Sequence, residues 1–333
     1  MPAPLAVTMG EPAGIGGEIL LKAWARRTDR TPVFFAIDSA ARLEAIATRF
    51  GIPCPVTVIK HAKDAAAVFN RALPVLDLGV DLSAATLGTP TPSTAAAVIA
   101  AIDRAVALAK AGDARGFVTN PIQKAVLQSA GFAYPGHTEY LGHLADSMPV
   151  MMLAVPGLRV IPVTVHLRLA AVATALTTKA IVQHGRIAAA ALRRDFGIAK
   201  PRIAVAALNP HGGEAGTMGD EEHTIIMPAI DELRAEGIAV SGPAPADTLF
   251  HADARAHFDL ALCMYHDQAL IPLKTIDFAG GVNVTLGLPF VRTSPDHGTA
   301  LDIAAKGVAD PSSLIAAIAM AAEMSARRTS AAH

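Results

Sequence analysis

The sequence predicts an α/β protein in which strands alternate with crossover helices. Three observations carry this expectation. Short apolar runs alternate with alanine-rich stretches of helical length, and unusual polar residues gather just behind the apolar runs. A chain of 333 residues that is 52% hydrophobic also has core enough for one large or two medium domains. Strands are expected over 5–9, 33–37, 56–59, 116–119, 150–155, 160–165, 203–208, 260–264 and 282–286. Helices are expected over 14–27, 40–50, 93–110, 179–194, 221–236 and 311–326. In open α/β sheets ligands gather beyond the carboxyl ends of strands, so functional side chains should follow the apolar runs. No Gly/Ser-rich linker, repeat or low-complexity tract divides the chain.

Composition excludes several classes. Lys and Arg number 28 against 29 Asp and Glu, so a general nucleic-acid binder is not expected and any basic site must be local. Arg26, Arg27 and Arg30 read as a solvated face. The two cysteines, Cys54 and Cys263, lack CxxC spacing, which fits a reducing compartment rather than a disulfide framework. The N-terminus has no basic leader region, and Glu11 arrives too early for a signal peptide. The most apolar stretch, 148–167, is broken by Pro149, Pro156, Gly157, Arg159 and Pro162 into strand-length pieces, so it is not a membrane span. The expectation is a cytoplasmic protein.

Five features could carry chemistry. Gly10-Glu11-Pro12-Ala13-Gly14-Ile15-Gly16-Gly17-Glu18 follows the first apolar run. A strand-to-helix turn of this kind can offer N–H groups to an anion. It is not the dinucleotide fingerprint, and Glu11 and Glu18 would repel a phosphate, so it reads first as a structural turn. Next come His166, His211 and His266, each just behind an apolar run. Three neutral imidazoles can share a divalent metal and leave a position open for water or substrate; separately, each could be an ordinary hydrogen-bonded histidine.

Pro135-Gly136-His137-Thr138-Glu139 pairs a turn with a helix start. Its amides, hydroxyl and imidazole suit a phosphate, and a plain Thr cap is the alternative. Lys274, Asn283 and Arg292 are polar residues isolated in the apolar C-terminal third, where a cation needs an anionic partner. An Arg fork with a Lys point charge matches a carboxylate or phosphate, and Asp296-His297-Gly298-Thr299-Ala300 could open a capped helix. Finally, Asp247 and Asp267 supply carboxylates that could accept a proton from a substrate hydroxyl or orient a ligand imidazole.

Taken together, Gly10-Glu11-Pro12-Ala13-Gly14-Ile15-Gly16, Gly136-His137-Thr138-Glu139, Leu208-Asn209-Pro210-His211, Pro245-Ala246-Asp247-Thr248-Leu249-Phe250, Met264-Tyr265-His266-Asp267-Gln268 and the run from Gly281 through Asn283 to Pro289 resemble the 4-hydroxythreonine-4-phosphate dehydrogenase family of pyridoxal-phosphate biosynthesis. The resemblance implies an isocitrate/isopropylmalate-dehydrogenase-like fold, with two α/β domains around a cleft: 1–134 with 278–333, and 135–277. It implies a homodimer whose active site draws on both subunits, NAD or NADP as cofactor, and one divalent metal, Zn²⁺, Mg²⁺ or Co²⁺. The family's metal ligands fall on His166, His211 and His266, and its substrate contacts on His137, Thr138, Lys274, Asn283 and Arg292. Gln123, in Asn120-Pro121-Ile122-Gln123-Lys124, departs from the family's pattern. Sister enzymes for four-carbon sugar-acid phosphates or cyclic diols, and a hydrolase with a three-histidine metal, are the alternatives. No residue is assigned to the cofactor.

Overall fold

The computed structural model describes residues 2–331. Its strands are β1 (Leu5–Thr8), β2 (Phe34–Asp38), β3 (Val56–Val58), β4 (Leu73–Asp77), β5 (Phe117–Thr119), β6 (Val150–Val155), β7 (Leu158–Pro162), β8 (Arg202–Ala206), β9 (Ala239–Ala244), β10 (Leu260–Cys263), β11 (Val282–Leu286) and β12 (Arg292–Pro295). The chain forms two compact units, Met1–Pro149 with Leu288–Ala326 and Val150–Gly287 with Arg327–His333. These units divide later than the boundaries expected at 134/135 and 277/278. Helix His137–Ala145 buries Tyr140 and Leu141 in the first unit's core. β11 pairs along its whole length with β6, which keeps it in the second unit.

The first unit is a parallel sheet ordered β3-β4-β2-β1-β5-β12. A parallel sheet is covered on both faces, so its central strands are buried without alternation. β1 and β2 accordingly bury every residue. Phe34, Phe35 and Phe117 are fully buried, each contributing about 1.5–3 kcal/mol through apolar burial. The alanine-rich helix Ala95–Ala111 packs on this sheet and ends at Gly112, whose φ of 79° closes it. Strand order reverses between β1 and β5, the place where open α/β sheets hold ligands.

The second unit is mixed, ordered β11-β6-β7-β10-β8-β9. β6 runs antiparallel to β11 and β7, whereas β7, β10, β8 and β9 run parallel. Its core gathers Leu153, Val160, Phe258, Leu273 and their neighbours. Both cysteines are free and buried; burial pushes the Cys54 thiol up to about 12, which removes its nucleophilic thiolate at neutral pH. Among the described residues no helix is long and apolar enough to cross a membrane.

The structure corrects three expectations. β4, β9 and β12 were not anticipated, because Pro74, the Gly242-Pro243 pair and the polar sequence of Arg292–Pro295 mask them. The helix expected over 221–236 begins as a π turn, Glu222–Ile226, before the α-helix Met227–Ala235, where Pro228 lacks an N–H to donate. The Asp296–Ala300 stretch opens no helix and continues as turns.

Candidate active-site residues

In the first unit, β5 and β12 bring a cation to a strand end. Arg292 pairs in register with Phe117 and is 3% exposed. Its Nε and Nη2 donate to Thr119 Oγ1 at 3.1 and 2.6 Å. Burial pushes the guanidinium down to about 9, because a charge taken out of water loses hydration. An anion beside it would offset that cost.

His137 and Thr138 open helix His137–Ala145 in the same unit. Gly136 precedes them without a side-chain cap, leaving first-turn N–H groups for a ligand. The helix is anchored by Tyr140, whose hydroxyl donates to Asp103 at 2.5 Å, and by packing against the Tyr140 ring, edge-on from Phe132 and tilted from Tyr134. His137 Nε2 is closed off from solvent and has no hydrogen-bond partner among the described residues. Burial, then the charges of Arg292 and Lys124, hold the imidazole well below its ordinary range, so it is neutral at pH 7. Lys124 is a cation that the sequence reading passed over. It lies just past β5, and the rule of looking behind apolar runs would have found it.

The glycine-rich turn after β1 is built for close packing. Gly10 has φ of 67°, and a Cβ there would stand 2.6 Å from Pro121 O. Asn120 Nδ2 donates to Thr8 O at 3.0 Å beneath the turn. Glu11 is buried; desolvation raises its carboxyl, and Oε2 has no partner among the described residues. These facts favour the structural-turn reading. The unpartnered Glu11, Thr8 and Asn120 oxygens near the β1–β5 switch also suit the N–H₂ of a carboxamide, which a nicotinamide carries.

In the second unit, three adjacent parallel strands each deliver one histidine. His166 follows β7, His266 follows β10 and His211 follows β8. The His166 and His266 rings stand 6.1 Å apart between centroids. His266 Nδ1 lies 2.7 Å from Asp267 Oδ1. A carboxylate accepts, so Nδ1–H donates and Nε2 is left with a lone pair for a metal. His211 sits in a run of left-handed residues, with φ of 54°. Among the described residues no three His, Cys, Asp or Glu side chains are gathered closely enough to hold an ion. The donor set is still chemically apt: two neighbouring imidazoles, one oriented by a carboxylate, suit a borderline cation such as Zn²⁺ or Co²⁺ better than an oxygen-seeking one.

Side chains absent from the sequence reading stitch these strand ends. Thr164 Oγ1 donates to Met264 O at 2.7 Å, linking β7 to β10. Gln268 accepts from Met264 N and donates to Ala207 O, linking β10 to β8. Glu222 Oε1 accepts from Leu208 N and Asn209 N at 2.8 and 2.7 Å, which fixes the base of the His211 loop. Lys274 ends helix His266–Ile276, with its ammonium 5.2 Å from the centre of the Phe278 ring. Asn283 lies on β11 opposite Leu153, and Asp247 is exposed in the short helix Ala246–Leu249. The candidates therefore divide: His137, Thr138 and Arg292 belong to the first unit, and the three histidines, Asp247, Asp267, Lys274 and Asn283 to the second.

Such a division defines a two-unit α/β protein with a buried cation and a neutral imidazole on one unit and three strand-end imidazoles on the other. The model of the family described as pyridoxal phosphate biosynthetic protein PdxA matches residues 29–321, and the chain belongs to that family. It is 55% identical over 332 residues to the 4-hydroxythreonine-4-phosphate dehydrogenase of Caulobacter vibrioides, covering 98% of each chain. The solved structure of 4-hydroxythreonine-4-phosphate dehydrogenase from Klebsiella pneumoniae superposes with a TM-score of 0.88 at 38% identity, covering 97% of this chain and 99% of that one. A terephthalate 1,2-cis-dihydrodiol dehydrogenase from Burkholderia xenovorans is more distant, with a TM-score of 0.65 at 26% identity, covering 97% and 98%.

Proposed function

We propose that this chain oxidises 4-(phosphooxy)-L-threonine with a nicotinamide cofactor, NAD or NADP, in pyridoxine 5'-phosphate biosynthesis. Its product, 2-amino-3-oxo-4-phosphooxybutanoate, then loses carbon dioxide to give 3-amino-2-oxopropyl phosphate. The observation that carries this reading is the buried Arg292 beside a neutral His137, a set made for a phosphate in a chain with no net basic charge. The greater likeness to the hydroxythreonine-phosphate enzyme than to the dihydrodiol enzyme supports a phosphorylated substrate over a cyclic diol.

In this reading Arg292, His137 and Thr138 bind and orient the phosphate. Lys274 and Asn283 bind the substrate as well, Lys274 at its phosphate or at its reacting carboxylate or hydroxyl. His166, His211 and His266 hold one divalent cation, which supplies Lewis acidity to the substrate hydroxyl, while the nicotinamide supplies the hydride acceptor. Asp267 keeps His266 in the tautomer that presents Nε2. Asp247 takes the hydroxyl proton, directly or through water. The ketone formed lies β to the carboxylate, so decarboxylation leaves a stabilised enolate. The family reading also makes the enzyme a cytoplasmic homodimer that completes its active site across subunits.

The test is a substrate panel followed by NADH or NADPH absorbance. Phosphorylated hydroxythreonine should be oxidised far faster than four-carbon sugar-acid phosphates or cyclic diols. A chelator should abolish the rate, and Zn²⁺ or Co²⁺ should restore it. Preference for another panel member, or full rate in a metal-free preparation, would overturn the corresponding part of the reading.

A further inference from the structure

We propose that Lys124 is a phosphate ligand, the second positive charge of a pocket in the first unit formed with Arg292, His137 and the start of helix His137–Ala145. The inference rests on the phosphate reading above and extends it to a residue outside the family-assigned set.

The groups come from three segments. Lys124 lies just past β5, Arg292 on β12, and Gly136 and His137 at the helix start. A Cβ on Gly136 would stand 3.3 Å from Lys124 Cε and 3.7 Å from its Nζ, so the ammonium lies beside the uncapped first turn. Gly136 is extended, with φ of −178°, so its backbone does not demand glycine; the missing side chain leaves room beside the ammonium. Among the described residues Lys124 makes no ion pair and no side-chain hydrogen bond. The two cations that bear on the His137 imidazole are Arg292 and Lys124. With His137 neutral, the pocket carries two positive charges, Arg292 and Lys124. A phosphate monoester carries close to two negative charges at pH 7. A guanidinium, a mobile ammonium and helix N–H groups together suit its three terminal oxygens. A carboxylate, Glu139, stands close by, its Oε2 3.5 Å from the same Gly136 Cβ position, and among the described residues no ion pair joins it to Lys124.

The experiment measures inorganic phosphate binding by calorimetry at pH 8, with steady-state kinetics in parallel. Lys124→Met should weaken phosphate binding and raise KM for the phosphorylated substrate by about tenfold, with kcat changed much less. Lys124→Arg should restore most of the loss. Equal phosphate affinity in wild type and Lys124→Met would overturn the assignment of Lys124 and leave the phosphate reading of Arg292 intact. A wild type that neither binds phosphate nor prefers the phosphorylated substrate would sink both. If Lys124→Met/Glu139→Gln binds phosphate as tightly as Glu139→Gln alone, Lys124 only screens Glu139 and the proposal is wrong. Circular dichroism of each variant separates a folding defect from a binding one.

Discussion

The two units place their candidate side chains differently: Arg292 opens a parallel strand inside the sheet, whereas the three histidines lie just past strand ends. In the first unit the key group is a cation, Arg292, buried against Thr119. In the second the key groups are imidazoles at the surface: His166 and His211 are exposed and His266 half-buried. An anion site gains from low dielectric, where each charge-assisted bond is stronger. A metal site needs open approach and fixed lone pairs, and the histidine-bearing strand ends are held from behind by Thr164, Gln268, Asp267 and Glu222. The difference teaches that a substitution in the first unit has to be read for fold and for affinity separately. One in the second can remove function and spare the fold.

The largest effect expected is from His211→Ala. Loss of an exposed metal ligand should cut activity by at least ~100-fold and reduce bound metal, with the unfolding midpoint unchanged. Elemental analysis and thermal denaturation check both halves; a large drop in midpoint would break the comparison. Arg292→Ala comes next. KM for the phosphorylated substrate should rise roughly ten- to a hundredfold, and the dephosphorylated substrate should be harmed much less. Equal harm to both substrates would mean that Arg292 supports the fold and does not read phosphate.

Glu222→Gln should lower metal affinity by about tenfold, as loss of a supporting partner typically does. Metal titration followed by competition with a chelator reads it, and unchanged affinity would show that the His211 loop holds without that carboxylate. The smallest effect sharpens the contrast within the second unit. Burial alone would raise the Asp195 carboxyl, but hydrogen bonds and charge from Arg194 and Arg328 outweigh it and hold it below its usual range. Its stabilisation is therefore present above the unfolded carboxyl value of about 3.9 and is lost as pH falls through the lower folded value. Arg328→Ala should cost about 1 kcal/mol at pH 7, because Arg194 remains, and the gap should close in acid. Urea titrations at both pH values test this; a gap that persists in acid would mean that Arg328 acts through packing.

The sequence exposed some parts of this molecule and hid others for identifiable reasons. Helix Ala40–Phe50 and strands β6 and β11 stand where apolar pattern and flanking breakers place them, because local chemistry and tertiary packing agree there. β12 hid because its residues are polar yet buried, a property conferred by its neighbours and invisible in its own composition. The strand-end rule singled out the histidines, Arg292 stood out as a cation isolated in an apolar stretch although it opens β12, and the motifs carried the family. The same rule reached as far as Lys124, but an exposed lysine at a helix start reads as ordinary surface until Gly136 is seen beside it. The supporting contacts of Glu222 and Gln268 join residues 13 and 61 positions apart, and no local pattern encodes such pairs.

The hydrogen bond from Arg292 to Thr119 spans 173 positions of chain. During synthesis β5 emerges early with one edge covered by β1, and its other partner, β12, is still to be made. At about 5–20 residues per second that edge waits roughly ten to thirty seconds. Phe117 and Val118 are the apolar residues of that open strand, which invites pairing with another nascent chain. The strand that closes the edge is the one that brings the guanidinium. Arg292 can therefore reach Thr119 only after this vulnerable interval has ended.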